Sequence, residues 1–413
     1  MSQKTSDIVI VGGGLVGLTA ALTLSNLGAS VIVLETKTEL AEHPQGLDAR
    51  SIALSISSVQ MLKSLGLWSG FQSQMSAIEQ IHVSSQGHWG ISRMLAKQLR
   101  LPAIGYVVEN TILLEQLFKA ANKNENIHLL MGAQFESLKQ EEDSVLLNYQ
   151  QHSNSNSKIL KIRAKLVIAA DGAISKLRGF LKIDHQQFDY QQSVVIANIE
   201  VEKANQKIAY ERFSSHGPLA MLPLTGNRYA MVWTDSEAHV DQLVKLDDTE
   251  FLSQLQQLFG FRLGYFIAVG RRNSFPLQRI RASQLVSDHC VLLGNAANTL
   301  HPVAGQGLNL AFRDIAQLFD TFNQSGTKLN FATIKNQLLE YQQSRLKDHD
   351  QVIRFGDGLV ELFSNNLPAL NCARATALGI LDILPVLKTE VTMLGMGFGQ
   401  AASSLMRGVL PNE

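Results

Sequence analysis

Three glycines set between a buried strand and an Ala/Leu-rich helix restrict this chain more than any other feature. Residues 8–11, IVIV, read as a fully buried strand. Gly12, Gly14 and Gly17 then fall at G-x-G-x-x-G spacing before an apolar helix that stops near Gly28. A second β-branched run, residues 31–34, ends in Glu35, roughly 20 residues beyond the glycines, where a carboxylate can accept both ribose hydroxyls of an adenosine. In such a unit Gly12 permits the tight turn, Gly14 lets a pyrophosphate approach the backbone, and Gly17 lets helix and strand pack closely. The phosphates sit on the helix N-terminus, whose unpaired N–H groups and positive dipole end offset their charge without a lysine. The unit predicts dinucleotide binding in an α/β chain.

At 413 residues the chain can bury a large core and divide into two domains. Lysine plus arginine and aspartate plus glutamate number 36 each, so no global charge draws it to nucleic acid. Charged residues are 17% against 45% apolar, which leaves few charges to cover the surface and some apolar area exposed. Cys290 and Cys372 lack metal-ligand spacing and fit a reducing compartment, with no disulfide framework and no metal site. Cys290, inside an apolar run, reads as buried filler rather than a nucleophile. No segment has the form of a signal peptide, and no apolar run reaches about 18 residues. The expectation is a cytoplasmic protein, soluble or peripheral at the inner face of the membrane.

Beyond the polar loop 36–45, Arg50 enters what reads as an apolar helix start, either as a surface residue or as a cofactor contact. A helix over 57–66 follows, then strand-like residues 78–84 and a helix over 112–122. Residues 127–168 read as hairpin strands broken by an exposed low-complexity loop, 150–158. A buried strand then ends in Asp171 and Gly172, with Ser175 and Arg178 at a helix start. That pair is either an ordinary turn or a strand end that reaches a bound nucleotide. Short antiparallel strands over 194–201, 208–213, 219–222 and 229–233, a helix over 248–259 and a strand over 265–269 form a second sheet, read as a substrate lid. The second glycine-rich anchor spans 285–314. Its strand ends at Gly294-Asn295, and a loop through His301 leads to Gly305, Gly307 and a helix over 308–319. That helix start is another site for negative charge, and the Asn309 amide can meet a heterocycle; glycines capping an ordinary helix are the alternative. The apolar residues 355–409 either pack on the nucleotide domain or stay exposed to a membrane or partner.

Together the three anchors resemble the FAD-binding motifs of the single-component aromatic-ring flavoprotein monooxygenases, the p-hydroxybenzoate hydroxylase fold, over nearly the whole chain. Within that family, residues 49–54, Tyr210-Glu211-Arg212-Phe213, residues 216–223 and residues 301–309 resemble the ubiquinone-biosynthesis hydroxylases, above all the 2-polyprenyl-6-methoxyphenol hydroxylases. The family usually has Gly-Asp where this chain has Gly294-Asn295; the same Gly-Asn variant occurs in that subgroup.

The resemblance implies an α/β chain in three parts. A Rossmann-like FAD-binding domain covers residues 1–77, 101–183 and 276–350, an antiparallel-sheet substrate domain covers 78–100 and 184–275, and an apolar helical region covers 351–413. It implies that Gly12, Gly14 and Gly17 hold the pyrophosphate, Glu35 the adenosine ribose and Arg50 the phosphate side of the flavin. Asp171, Gly172 and Asn295 would flank the ribityl chain, Asn110 would belong to the same site, and Gly305, Gly307, Leu308 and Asn309 would face the isoalloxazine edge. As implied, NAD(P)H reduces FAD, O2 adds at flavin C4a, and the hydroperoxide attacks a polyprenyl (methoxy)phenol in ubiquinone biosynthesis, while the protein excludes water and orients the ring. His216 and His301 are the nearest candidates for acid–base work, a structural role being the plainer reading. A lipid-resident substrate implies contact with the membrane and with other ubiquinone-biosynthesis enzymes. The alternatives are the same chemistry on a small soluble phenol and a non-catalytic binding subunit of the same fold.

Overall fold

A computed structural model describes residues 4–39, 46–87, 91–153, 156–214, 216–301, 305–324, 329–363 and 403–409. Its nucleotide sheet has the strand order Val286–Ser287, Cys290–Leu292, Leu166–Ala169, Ile8–Val11, Val31–Glu35 and Ile127–Met131 among the described residues, parallel except at the Val286–Ser287 edge. Ile8–Val11 and Leu166–Ala169 are wholly buried, which is why they read as continuous apolar runs rather than alternating ones. The chain leaves the central strand Ile8–Val11 toward both sides of the sheet. The carboxyl ends of its neighbours therefore meet at one crevice, the usual place for a ligand in an open α/β sheet.

The helix Leu15–Ser25 is buried from Gly17 onward. Its hydroxyls are satisfied within the helix, Thr19 and Thr23 each donating to the carbonyl four residues back at 2.7 Å, so they enter the core without an unpaired polar group.

The second large sheet runs Asn298–Thr299, Asn273–Ala282, His185–Val201, Arg228–Ser236, Pro218–Pro223, Ile208–Phe213, Gln80–Ser85 and Ile91–Leu95, with Phe266–Val269 paired to His185–Val201. Two helices, Glu237–Lys245 and Asp248–Phe259, cover its outer face through Tyr210, Met221, Trp233, Phe251 and Phe259. A three-stranded sheet of Ser51–Ser55, Gly105–Glu109 and Ser76–Ile78 stands between the two large sheets.

Several local expectations need correction. Ser51–Ser55 after Arg50 is a strand paired with Gly105–Glu109, not a helix start, because its β-branched and small residues fill an antiparallel ladder. The expected loop 150–158 belongs largely to two paired strands, Val145–Ser153 and Asn156–Ala164. Their pairing runs on to Ser153 opposite Asn156, and residues 154 and 155 lie outside the described residues. The strand Asn273–Ala282 runs across the expected domain boundary at 275/276. Pro276 lies beside a bulge in that ladder, where the irregular register tolerates a missing N–H. Residues 364–402 of the expected C-terminal region lie outside the described residues, while Leu405 and Met406 are buried against the nucleotide domain.

Two long helices, Gln306–Asn323 and Phe331–Phe363, are joined by a buried ion network. Arg345 Nε donates to Asp314 at 2.6 Å, Arg313 Nε to Asp348 at 3.0 Å and His349 Nε2 to Asp314 at 2.8 Å, and Arg345 also bonds Asp348. Burial alone would raise the Asp314 carboxyl, but the His349 and Arg345 charges hold it below its ordinary value. Arg345→Met leaves two buried carboxylates short of their counter-charge, and urea unfolding is expected to show a loss of about 3–5 kcal/mol.

Candidate cofactor and substrate site

The first turn is sterically exact in its demands. Gly12 has φ +107°, and a Cβ there would lie 2.3 Å from the Ala170 carbonyl oxygen; a Cβ on Gly17 would lie 1.9 Å from the Gly12 carbonyl oxygen. Gly14, the N-cap of Leu15–Ser25, has φ −78°, and an added Cβ would meet nothing within 4 Å. The open space lies over a helix N-terminus with no acidic residue in its first turn, a place suited to phosphate.

Glu35 is held by two backbone donors, Gly13 N–H at 2.7 Å and Lys37 N–H at 2.9 Å, one on each carboxylate oxygen. Each oxygen keeps acceptor capacity toward a neighbouring hydroxyl. Beside it opens a small cleft of about 70 Å³, with Leu114, Phe118 and Met131 on its apolar wall and Glu35, Lys37 and Glu39 among its charged lining.

Asp171 and Gly172 follow the strand Leu166–Ala169 at the same crevice. Asp171 Oδ2 accepts Leu177 N–H at 3.2 Å, while Oδ1 is buried without a hydrogen-bond partner. Asn110 Oδ1 is also buried and unpartnered, and its N–H donates to the Arg50 carbonyl at 2.7 Å. Buried polar atoms of this kind call for a hydroxyl-bearing or water partner. Asn295 is exposed in the turn Gly294–Ala296, after the strand Cys290–Leu292. Arg50 is exposed, stacks on Phe275 at 4.7 Å and donates from Nη2 to Asn273 Oδ1 at 3.4 Å.

Gly305 begins the helix Gln306–Asn323, Gly307 is open, and Leu308 is half-buried. The side chain of Asn309 differs from the sequence expectation, because all of its amide capacity goes to protein. Oδ1 accepts Ser55 N–H and Ser58 Oγ–H, and Nδ2 donates to the Ala53 and Gly305 carbonyls, at 2.8–3.0 Å. It staples the helix start to the strand Ser51–Ser55.

The two histidines diverge. His216 is exposed in the turn after Ile208–Phe213, its N–H bonded to Ser214 Oγ and its carbonyl to Gln192. His301 is buried, edge-on to Tyr190 at 4.9 Å, and burial pulls its imidazole down to about 4, the Asp357 charge only partly opposing this. It is neutral at neutral pH. Burial likewise pushes the Cys290 thiol up to about 12, which makes it inert.

Arg178, which the sequence places at a helix start, has a structural role. It is buried, with Nη1 on the Ala296 carbonyl and Nη2 on the Ala173 carbonyl, both at 2.8 Å, and so ties the Asp171 turn to the Asn295 turn. A lone arginine beside an Asp-Gly turn was the available signal.

The face of the large sheet turned toward the nucleotide domain has no signature in the sequence. Asn198 on this face donates to the Gly46 and Ala49 carbonyls, and Ala209 and Ala230 pack on Val107. Next to them one cross-strand row, Asn273, Ile196, Val232, Ala220, Glu211 and Val83, is half-exposed throughout. The row beyond it, Val194, Thr234, Pro218, Phe213 and Ser85, is buried. The half-exposed row is therefore the floor of a trough, about 24 Å long from its five inter-strand steps, that starts at the Asn273 contact with Arg50.

The FAD binding domain family matches residues 5–355. The ubiquinone hydroxylase UbiL of Rhodospirillum rubrum is 32% identical over 99% of this chain and 94% of its own. The 3-demethoxyubiquinol 3-hydroxylase of Escherichia coli is also 32% identical, over 96% of this chain and 100% of its own. The fold matches the crystal structure of p-nitrophenol 4-monooxygenase PnpA from Pseudomonas putida, with TM-score 0.77 and 17% identity over 97% of this chain and 100% of that one. It also matches a Klebsiella pneumoniae HpxO variant complexed with FAD, with TM-score 0.72 and 18% identity over 94% and 99%.

Gly14→Val fills open space without straining the fold. Unfolding of the cofactor-free protein is expected to change by less than about 1 kcal/mol, while spectroscopic titration shows FAD binding lost. For His301, the unfolded chain takes up a proton below its ordinary value of 6.5 that the folded chain refuses until about 4. Stability thus falls as pH falls across that window, by up to about 3 kcal/mol. His301→Gln is expected to flatten that part of the pH–stability curve relative to the unmodified protein.

Proposed function

The chain belongs to the FAD binding domain family and is an FAD- and NAD(P)H-dependent monooxygenase, and from that premise we propose that its substrate is a polyprenyl (methoxy)phenol of ubiquinone biosynthesis. The observation that supports this reading is the trough that starts at the Arg50–Asn273 contact, whose floor is apolar at Ile196, Val232, Ala220 and Val83 and long enough for an aromatic ring and part of an aliphatic tail.

Bound FAD supplies the activation of O2 once NAD(P)H has reduced it. The protein's own part is positional and electrostatic. The backbone at Gly12 and Gly14 and the N-terminus of Leu15–Ser25 receive the pyrophosphate, and Glu35 accepts the adenosine ribose. Asp171 Oδ1 and Asn110 Oδ1 accept hydroxyls of the ribityl chain, with Arg50 and Asn295 at its flanks. Gly305, Gly307 and Leu308 open the helix whose N–H groups oppose negative charge on the ring edge. Ile196, Val232 and Ala220 exclude water from the reacting ring. Among the described residues no helix is long and apolar enough to cross a membrane. A lipid-resident substrate would be met by peripheral contact with the membrane or through partner enzymes of the pathway.

The test is turnover of the purified, FAD-loaded protein with NAD(P)H and a short-chain 2-prenyl-6-methoxyphenol. A product one oxygen atom heavier is expected. Oxidation of simple soluble phenols alone would reassign the substrate, and a protein that stays colourless after FAD loading would point to the non-catalytic reading.

A further inference from the structure

Glu211 is the single ionisable side chain on the trough floor. It lies between Ala220 and Val83, one position along its strand from the outward-facing Tyr210 and Arg212. Four inter-strand steps, about 19 Å, separate it from Asn273 at the flavin end. Its inward neighbours on adjoining strands are apolar or hydroxylic, and among the described residues no hydrogen bond or ion pair engages its carboxylate. Tyr210 and Arg212, by contrast, are occupied on the outer face, Arg212 donating to the Leu258 carbonyl and Tyr210 packing on Phe259. Two strands further on, beyond Val83, Ser92 is fully buried with a hydroxyl that has no partner.

A carboxylate placed among apolar groups with no counter-charge is costly and calls for a partner that arrives from outside. Such an environment also tunes it as a base: although the residue is half-exposed, desolvation by the strands around it pushes the Glu211 carboxyl up to about 7, close to the range in which general-base catalysis is most efficient.

We propose that Glu211 accepts the hydroxyl proton of the phenol substrate, and so is the general base that activates the ring. This rests on the reading of the chain as a phenol hydroxylase. The phenol O–H bond breaks and its proton passes to Glu211. The freed electron pair moves into the ring, and the ring carbon ortho or para to that oxygen forms the new C–O bond to one atom of O2, delivered as a hydroxyl. The other oxygen atom becomes water with the two electrons from NAD(P)H. The ring carbon loses its hydrogen as a proton, aromaticity returns, and Glu211 gives its proton back to the product oxygen. The apolar floor on either side serves the ring substituents, so the carboxylate also fixes which end of the substrate faces inward.

The experiment compares the FAD-loaded protein with Glu211→Gln and Glu211→Ala over phenols of graded acidity, each by product formed. With a methoxyphenol that is un-ionised at the assay pH, Glu211→Gln is expected to lose about 100-fold or more. With a nitrophenol that is already ionised, the loss is expected to be less than tenfold. Glu211→Ala is expected to regain methoxyphenol turnover on addition of acetate, which would support the assignment even if Glu211→Gln does not fold. Equal losses across the series, or no rescue by acetate, would overturn the role of Glu211 while leaving the hydroxylase reading intact. If the unmodified protein oxygenates no phenol, that reading fails first and the inference with it.

Discussion

The seat of the first helix on the first turn is the contact on which the site depends. With no Cβ on Gly17, the helix Leu15–Ser25 descends onto the Gly12 carbonyl, and its N-terminus comes to lie over the end of the central strand. Because the chain leaves that strand in both directions, Glu35, Asp171 and Asn295 arrive at the same crevice from three neighbouring strand ends. The positive end of one dipole and three polar side chains thus share one crevice, although the last of them is far from the first in sequence.

Holding the substrate sheet against that crevice is a separate problem, and the long helix Phe331–Phe363 contributes to both halves of the answer. Its Arg345, Asp348 and His349 interlock with Arg313 and Asp314 of the helix that begins at Gly305. Further along, Asp350 and Asp357 pair with Arg281 and Arg279 of the strand Asn273–Ala282. One element therefore grips both the helix that begins at Gly305 and a strand of the second large sheet. Asp357 also accepts the Tyr190 hydroxyl at 2.6 Å, and Tyr190 in turn packs on His301. A change in the relative position of the two sheets would have to break either the half-exposed pairs of Asp350 and Asp357 or the buried network between the two helices.

Much of this was legible in the sequence. The glycine spacing, Glu35, the Asp171 turn and the Gly305 helix start are local features whose chemistry is written in adjacent residues, and they led to the family and to FAD. Other parts depend on contacts across the fold. Asn309 reads as a ligand because amides suit heterocycles, and its engagement by Ala53, Ser55 and Ser58 follows only from a strand that was itself misread as a helix start. The ion network sits at Leu338, Tyr341, Arg345, Asp348 and His349, an inward helical stripe whose charged members resemble a solvated face until their partners are seen. The trough has no sequence signature, because its floor takes one residue from each of six strands.

Turnover under isotopically labelled dioxygen tests the central claim most directly. The hydroxylated polyprenyl phenol is expected to carry one labelled oxygen atom and the second to appear in water, with one NAD(P)H oxidised per product. Product oxygen drawn from water, or NAD(P)H oxidation with no labelled phenol from any substrate in the presence of bound FAD, would contradict it.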